Sequence, residues 1–358
     1  MKIIHCADLH LGSKIRAKLP EEKAEKRRAE VRAAFDKMLR FAEENGVRAV
    51  LISGDAFDSD RPSLYDKRAF YDSIRAHGNI DFYYLRGNHD AGGMAYSEEL
   101  PNLKTFGAEW TTYPLGEGVF VTGAEYSGAL PYQSLCLDSR ATNLVMLHGD
   151  VASEIDLSRL CGKHVDYLAL GHIHTASIAA LDERGKYGYS GCLEGRGFDE
   201  CGKKGFILLD VKEDAIANGQ IVRGRVEAKF IVNSLREITE YRVDVSAAKD
   251  DYEAARIAES VVTSPEKDLV RVYLTGETHL DRRAIERTVR EKLERRYFFA
   301  SVKDETRARC DYAAYETENS LKGEFVRCVK ERTDLSAEEK DAVIRLGIGA
   351  LERGEAEL

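Results

Sequence analysis

Five short polar motifs, each set just after a hydrophobic run, constrain this chain more than any other feature. In order they are Asp8-Leu9-His10, Gly54-Asp55, Gly87-Asn88-His89-Asp90, His148-Gly149-Asp150 and Gly171-His172-Ile173-His174. They hold five of the nine histidines. The runs before them, residues 2–7, 49–53, 82–86, 142–147 and 167–170, read as strands. In open α/β sheets, ligands bind beyond the carboxyl ends of the strands. Side chains delivered from several such ends converge on one point. Carboxylate, imidazole and amide donors together suit a pair of hard or borderline divalent metal ions. A lone Asp-x-His or Gly-Asp occurs by chance in many chains; five such motifs in order, each at a strand end, do not.

The rest of the composition narrows the setting. With 358 residues there is room for two or three domains, and 43% hydrophobic with 32% charged residues is an ordinary globular balance. No stretch approaches the apolar length that crosses a bilayer. One basic residue precedes the first strand, so the N-terminus reads as part of the fold and not as a signal peptide. Seven cysteines, an odd number with no Cys-x-x-Cys pair, read as reduced thiols in a cytoplasmic protein. A net charge of −9 argues against holding nucleic acid by charge alone. Local basic clusters are another matter. Residues 14–32 carry eight basic side chains against four acidic ones, directly after Asp8 and His10, which marks Lys14, Arg16 and Lys18 as nucleic-acid contacts. A second basic stretch, 281–296, reads as a solvated helix face laced with i,i+4 pairs.

Strands and helices alternate through the first 110 residues: strand 2–7, helix 21–44, strand 47–53, helix 63–76, strand 80–86. Short strands follow at 119–122, 143–147, 167–170, 177–181, 187–190 and 206–211. Few helices intervene, which predicts a second sheet stacked on the first. Asn218-Gly219 is a strong hairpin signal between strand 206–211 and a strand over 220–231. Beyond about residue 233 the pattern becomes strand–helix–strand–helix–strand (241–245, 250–262, 269–275, 281–293, 298–302) without any of the polar motifs. Two helices, 318–331 and 336–353, close the chain. Each has an apolar stripe: Leu321, Phe325 and Val329 on one, Val343, Leu346, Ile348 and Leu351 on the other. Two such helices cannot bury both stripes alone, so they pack on the preceding domain or accept a partner. The expected architecture is α+β: a two-sheet β-sandwich flanked by helices (1–233), a small α/β capping domain (234–316) and a C-terminal helical pair (317–358).

The motif set resembles the calcineurin-like metallophosphoesterase superfamily. Within it, Gly54-Asp55-Ala56-Phe57-Asp58, the following Pro62-Ser63 and Gly87-Asn88-His89-Asp90 resemble the SbcD-type DNA repair exonucleases, as do Tyr189-Ser190-Gly191 and Gly205-Phe206. The resemblance implies two divalent metal ions, Mn²⁺ for preference. Asp8, His10 and His174 would hold one ion, Asn88, His148 and His172 the other, and Asp55 would bridge them. His89 would face the scissile phosphate as a general acid, with Asp58 a catalytic candidate beside it that either orients His89 or only backs the metal ligands. Asp90 and Asp150 are candidates for fixing imidazole tautomers. His5, His77, His164 and His279 have no motif context and are assigned no functional role. The resemblance further implies DNA as substrate and an SbcC-type coiled-coil ATPase as partner for the last two helices, and it allows a homodimer. Two other readings compete with a nuclease component of such a complex. One is a small-molecule or cyclic-nucleotide phosphodiesterase with the same ligands. The other is a scaffold on a degenerate site, disfavoured because every ligand position carries a suitable donor.

Overall fold

Alternation along the first strands splits their side chains between two cores. In β1 (Lys2–Cys6), Ile4 and Cys6 face helices α1 (Glu21–Glu44) and α2 (Leu64–Ala76), while Ile3 faces a second sheet. The same period of two runs through β2 (Val47–Ser53), with Val50 and Ile52 on one side and Ala49 and Leu51 on the other. It continues in β3 (Asp81–Leu85), where Phe82 and Tyr84 turn toward the helices and Tyr83 and Leu85 turn away. Ser63 caps α2, its Oγ accepting from the Asp66 N–H at 3.1 Å.

This computed structural model describes all residues except 16–18, 93–97, 117, 126–128, 213–214, 218–219, 223–224, 309–314 and 354–358. Arg16, Lys18 and the Asn218-Gly219 turn therefore lie outside the described residues. The later strands are β4 (Leu103–Thr105), β5 (Thr111–Gly116), β6 (Val119–Gly123), β7 (Thr142–His148), β8 (Tyr167–Gly171), β9 (Ser177–Ala180), β10 (Lys186–Tyr189), β11 (Gly205–Val211), β12 (Ala215–Ala217), β13 (Gln220–Val222) and β14 (Val226–Val232). One six-stranded sheet has the order β14-β11-β1-β2-β3-β4 and the other β5-β6-β7-β8-β10-β9. Their facing sides bury Ile3, Leu51 and Leu85 from one sheet with Leu144, Met146 and Ala169 from the other. Such stacking buries both inner faces in one core. The strand expected over 220–231 divides in two: β13 pairs antiparallel with the short β12, and β14 pairs antiparallel with β11.

Strand direction is what positions the motifs. β1, β2 and β3 run parallel, with Cys6 opposite Ile52 and Ser53 opposite Leu85. β7 and β8 also run parallel, His148 opposite Gly171. Their carboxyl ends carry Asp8, Asp55, Asn88, His148 and His172.

The chain divides into two compact units. The first is Met1–Glu240 with Ser264–Val270 and Tyr297–Phe299, and the second is Tyr241–Thr263, Arg271–Arg296 and Ala300–Leu358. Strands β15 (Ile238–Asp244), β16 (Leu269–Thr275) and β18 (Phe299–Asp304) form a three-stranded sheet, and β17 (Glu277–Thr278) pairs with β19 (Arg307–Ala308). The second unit contains helices α3 (Asp251–Val261) and α4 (Arg282–Glu294), which pack on each other. It also holds α5 (Leu321–Glu331) and α6 (Ala337–Arg353). Ser336 and Glu339 form a reciprocal capping box at the start of α6, with contacts of 2.7 and 3.2 Å. α5 and α6 bury Val326, Val329, Ile344 and Ile348 against each other. The stripes expected from sequence therefore divide: Val329 and Ile348 turn inward, whereas Leu321, Val343, Leu346 and Leu351 are exposed. No helix among the described residues is long and apolar enough to cross a membrane.

Candidate metal centre

Three of the five motifs leave their strands through strained turns. Only five non-glycine residues with positive φ occur among the described residues, and four of them are Asp8 (+52°), His10 (+46°), Asp55 (+50°) and His172 (+103°). Such conformations cost about 1–3 kcal/mol each and cluster where function holds them. Two glycines make room for the convergence. A Cβ on Gly54 would stand 2.1 Å from His148 Nδ1, and one on Gly87 would stand 2.2 Å from Asp55 Oδ1.

Seven side chains meet at this edge, and their contacts sort them into two sets. In the first, His10 Nε2 and His174 Nε2 are 3.1 Å apart, and His174 Nε2 lies 3.8 Å from Asp8 Oδ1. In the second, Asn88 Oδ1 is 3.0 Å from His148 Nε2 and 3.1 Å from His172 Nδ1. Asp55 Oδ2 stands between, 3.8 Å from His10 Nε2 and 3.5 Å from His148 Nε2.

The donors fit divalent ions. Two ligands each about 2.1 Å from one ion and near a right angle to each other are about 3 Å apart, as the close pairs here are. Asp8 and Asp55 are almost fully buried, and among the described residues no lysine or arginine pairs with either. Buried carboxylates need a compensating cation. The far ring nitrogens are tied down as well. His148 Nδ1 is 2.9 Å from the Ser53 carbonyl, His174 Nδ1 is 2.8 Å from Glu200 Oε1, and His10 Nδ1 is 2.9 Å from Asp58 Oδ1. An Nδ1–H held this way leaves the Nε2 lone pair for a metal.

Electrostatics follow the same arrangement. Burial raises the Asp55 carboxyl, but its contacts with His148 and His10 outweigh burial and take it to about 2. Burial opposes the His148 imidazolium, and Asp55 and Asp8 more than reverse that, raising it to about 9. Burial lowers His10, with Asp58 partly opposing.

His89 is partly exposed beside these groups. Its ring meets that of His10 edge-on with centroids 4.8 Å apart, its backbone N–H donates to Asp55 Oδ1 at 2.9 Å, and its Nδ1 lies 3.9 Å from Asp58 Oδ1. His10, Asp58 and His89 thus form a further group whose donor atoms lie close enough for a metal. A cavity of about 230 Å³ lined by Arg86, Gly87, Asn88, Ala91, His148 and Glu154 opens beside the second set.

Several expectations change here. Asp90 does not hold an imidazole. It is buried and accepts from the backbone N–H of Gly87 (2.7 Å) and Phe57 (3.2 Å) and from the Tyr84 hydroxyl (2.5 Å), so it bolts two ligand loops together. Asp150 accepts from the Ala152 N–H in its own turn. The carboxylates that do hold imidazoles are Asp58 and Glu200. The basic stretch is largely committed elsewhere: Arg27 is buried against Glu194 and Glu30, Arg28 pairs with Glu21, and Arg32 pairs with Asp66 over the Tyr65 ring. Lys14 is exposed, and it follows Ser13, whose Oγ accepts from Arg196. Sequence reasoning does not reach Glu200 and Arg196. The only local sign is polar residues between glycines in Glu194-Gly195-Arg196-Gly197.

A stacked pair of sheets that gathers carboxylates, imidazoles and an amide at one strand-end edge defines a metallophosphoesterase domain. Residues 1–176 match the calcineurin-like phosphoesterase family model. Over 248 residues the chain is 25% identical to the DNA double-strand break repair protein Mre11 of Aeropyrum pernix, covering 60% of this chain and 59% of that protein. Over 269 residues it is 32% identical to the SbcD component of nuclease SbcCD from Escherichia coli strain K12, covering 58% of this chain and 64% of that one. The chain thus spans less than two thirds of the length of these curated relatives. Among solved structures, a dimetal phosphatase from Danio rerio aligns at a TM-score of 0.42 and 13% identity, over 65% of this chain and 99% of its own.

Proposed function

We propose that this chain is the nuclease component of a DNA repair complex and hydrolyses phosphodiester bonds with two divalent metal ions. The observation that carries the reading is the division of seven donors into two sets around Asp55. Asp8, His10 and His174 would hold one ion, Asn88, His148 and His172 the other, and Asp55 both. When bound, such ions withdraw charge from the phosphate and generate a nucleophile from water.

The chain's own residues supply the rest. His89 stands beside the ligands without joining either set, and we assign it the proton donated to the leaving sugar oxygen. Asp58 lies against both His89 and His10 and orients them. Exposed Lys14 places positive charge beside the site, where a DNA backbone would pass, and Arg16 and Lys18 belong to the same proposed contact. The names of the relatives support DNA as substrate and, for the SbcD component of SbcCD, assembly into a larger nuclease. An SbcC-type coiled-coil ATPase on the exposed residues of α6, Mn²⁺ as the ion, a cytoplasmic setting, a three-part division at about residues 233 and 316, and a homodimer complete the proposal.

The test compares two substrates. With Mn²⁺ the chain should hydrolyse bis-p-nitrophenyl phosphate and degrade linear duplex DNA, and chelator should abolish both. Replacing Lys14, Arg16 and Lys18 by Glu should weaken DNA cleavage strongly, flatten its salt dependence and spare the small diester. Equal loss on both substrates would favour the small-molecule phosphodiesterase reading.

A further inference from the structure

Arg196 is almost fully buried and stands between two carboxylates. Its Nη1 donates to Asp58 Oδ1 at 2.9 Å and to Ser13 Oγ at 3.1 Å. Its Nη2 and Nε donate to Glu200 Oε1 at 2.5 and 3.0 Å, and its backbone N–H donates to Glu200 Oε2 at 2.7 Å. Each carboxylate in turn touches the far nitrogen of an imidazole: Asp58 that of His10 at 2.9 Å, and Glu200 that of His174 at 2.8 Å. Those two imidazoles meet at 3.1 Å through their near nitrogens. One guanidinium therefore braces both from behind. His148 lies outside this network, because its Nδ1 is held by the Ser53 carbonyl.

We infer that Arg196 is a positioning residue that selectively shapes the metal position of Asp8, His10 and His174, leaving that of Asn88, His148 and His172 untouched. The inference rests on the two-metal reading above. Arginine suits the task because its planar fork holds two carboxylates at a fixed angle, which a lysine ammonium cannot do.

Charge and geometry predict opposite signs, which makes the inference sharp. A buried cation near a divalent ion repels it, so losing the charge alone would tighten metal binding. Losing a brace loosens it, and outer contacts of this kind are typically worth about 10–100-fold in metal affinity.

The experiment titrates Mn²⁺ into the full chain after stripping with chelator, reading site number and affinity by calorimetry and spin coupling by electron paramagnetic resonance. Wild type should take up two ions with a coupled spectrum; fewer than two would sink the two-metal reading itself. Arg196→Met should weaken one site about 10–100-fold and give the spectrum of an isolated ion. Arg196→Lys should shift the same site in the same direction by less, and Glu200→Gln should weaken that site too. Two sites of unchanged or higher affinity in Arg196→Met would overturn the inference while leaving the two-metal reading intact. So would equal weakening of both sites. Should Arg196→Met fail to fold, the Arg196→Lys and Glu200→Gln titrations decide by the same criterion.

Discussion

His10 Nε2 and His174 Nε2 meet at 3.1 Å although 164 residues separate them in sequence. Neither imidazole reaches the other by chance. His10 sits on a positive-φ turn after β1, and His174 follows the positive-φ His172 after β8, on the opposite sheet of the sandwich. The strain in those turns is offset only if the convergence is useful, and two lone pairs aimed at one point are useful to a metal ion.

His89→Asn should keep metal content and lose most turnover on DNA. General acid steps are worth about 10²–10⁴-fold. The loss should shrink on a diester whose leaving group is p-nitrophenolate, which hardly needs a proton. Metal analysis alongside rate measurements on both substrates checks this. Loss of an ion in the variant would make His89 a ligand, as its grouping with His10 and Asp58 permits.

His5 gives a prediction about stability in acid. It is fully buried, with Nδ1 3.0 Å from the Tyr167 hydroxyl and Nε2 3.1 Å from the Leu170 carbonyl. Burial lowers its pKa to about 3, the Leu170 contact partly opposing. A depressed folded-state value means the contribution is complete above the unfolded value of about 6.5 and is lost as pH falls toward about 3, at roughly 1.4 kcal/mol per pH unit. Urea unfolding of the metal-free chain at pH 7 and pH 5 should show a fall in stability that is smaller by about 2 kcal/mol in His5→Gln. An equal fall in both would remove His5 from the account.

Polar substitutions on the two faces of α6 should behave oppositely. Leu346→Glu with Leu351→Glu alters exposed positions, so the melting temperature should hold while co-purification with an SbcC-type ATPase is lost. Ile348→Glu buries a charge between α5 and α6 and should unfold the pair. Retained ATPase binding in the double variant would put the contact elsewhere.

How legible was all this in the sequence? The strand-end donors were visible because polar residues interrupt apolar runs of fixed period, and that pattern depends only on local chemistry. The paired sheets were readable for the same reason. What escaped was long-range pairing. Arg27 looks like one more surface cation on a basic helix, and distant partners, Glu194 and the Gly195 carbonyl, hold it inside. Arg196 and Glu200 sit in a glycine-rich stretch that reads as a loop, and nothing nearby says that both will be buried. The inward faces of α5 and α6 keep Val329 and Ile348 from the expected stripes and add Val326 and Ile344, because a stripe does not say which of its members meets the other helix.

Anomalous diffraction from crystals of the chain grown with Mn²⁺ tests the central claim most directly. Two anomalous peaks are expected at the strand-end edge, one against Asp8, His10 and His174, the other against Asn88, His148 and His172, with Asp55 touching both. A single peak, or peaks away from Asp55, would contradict the two-metal centre.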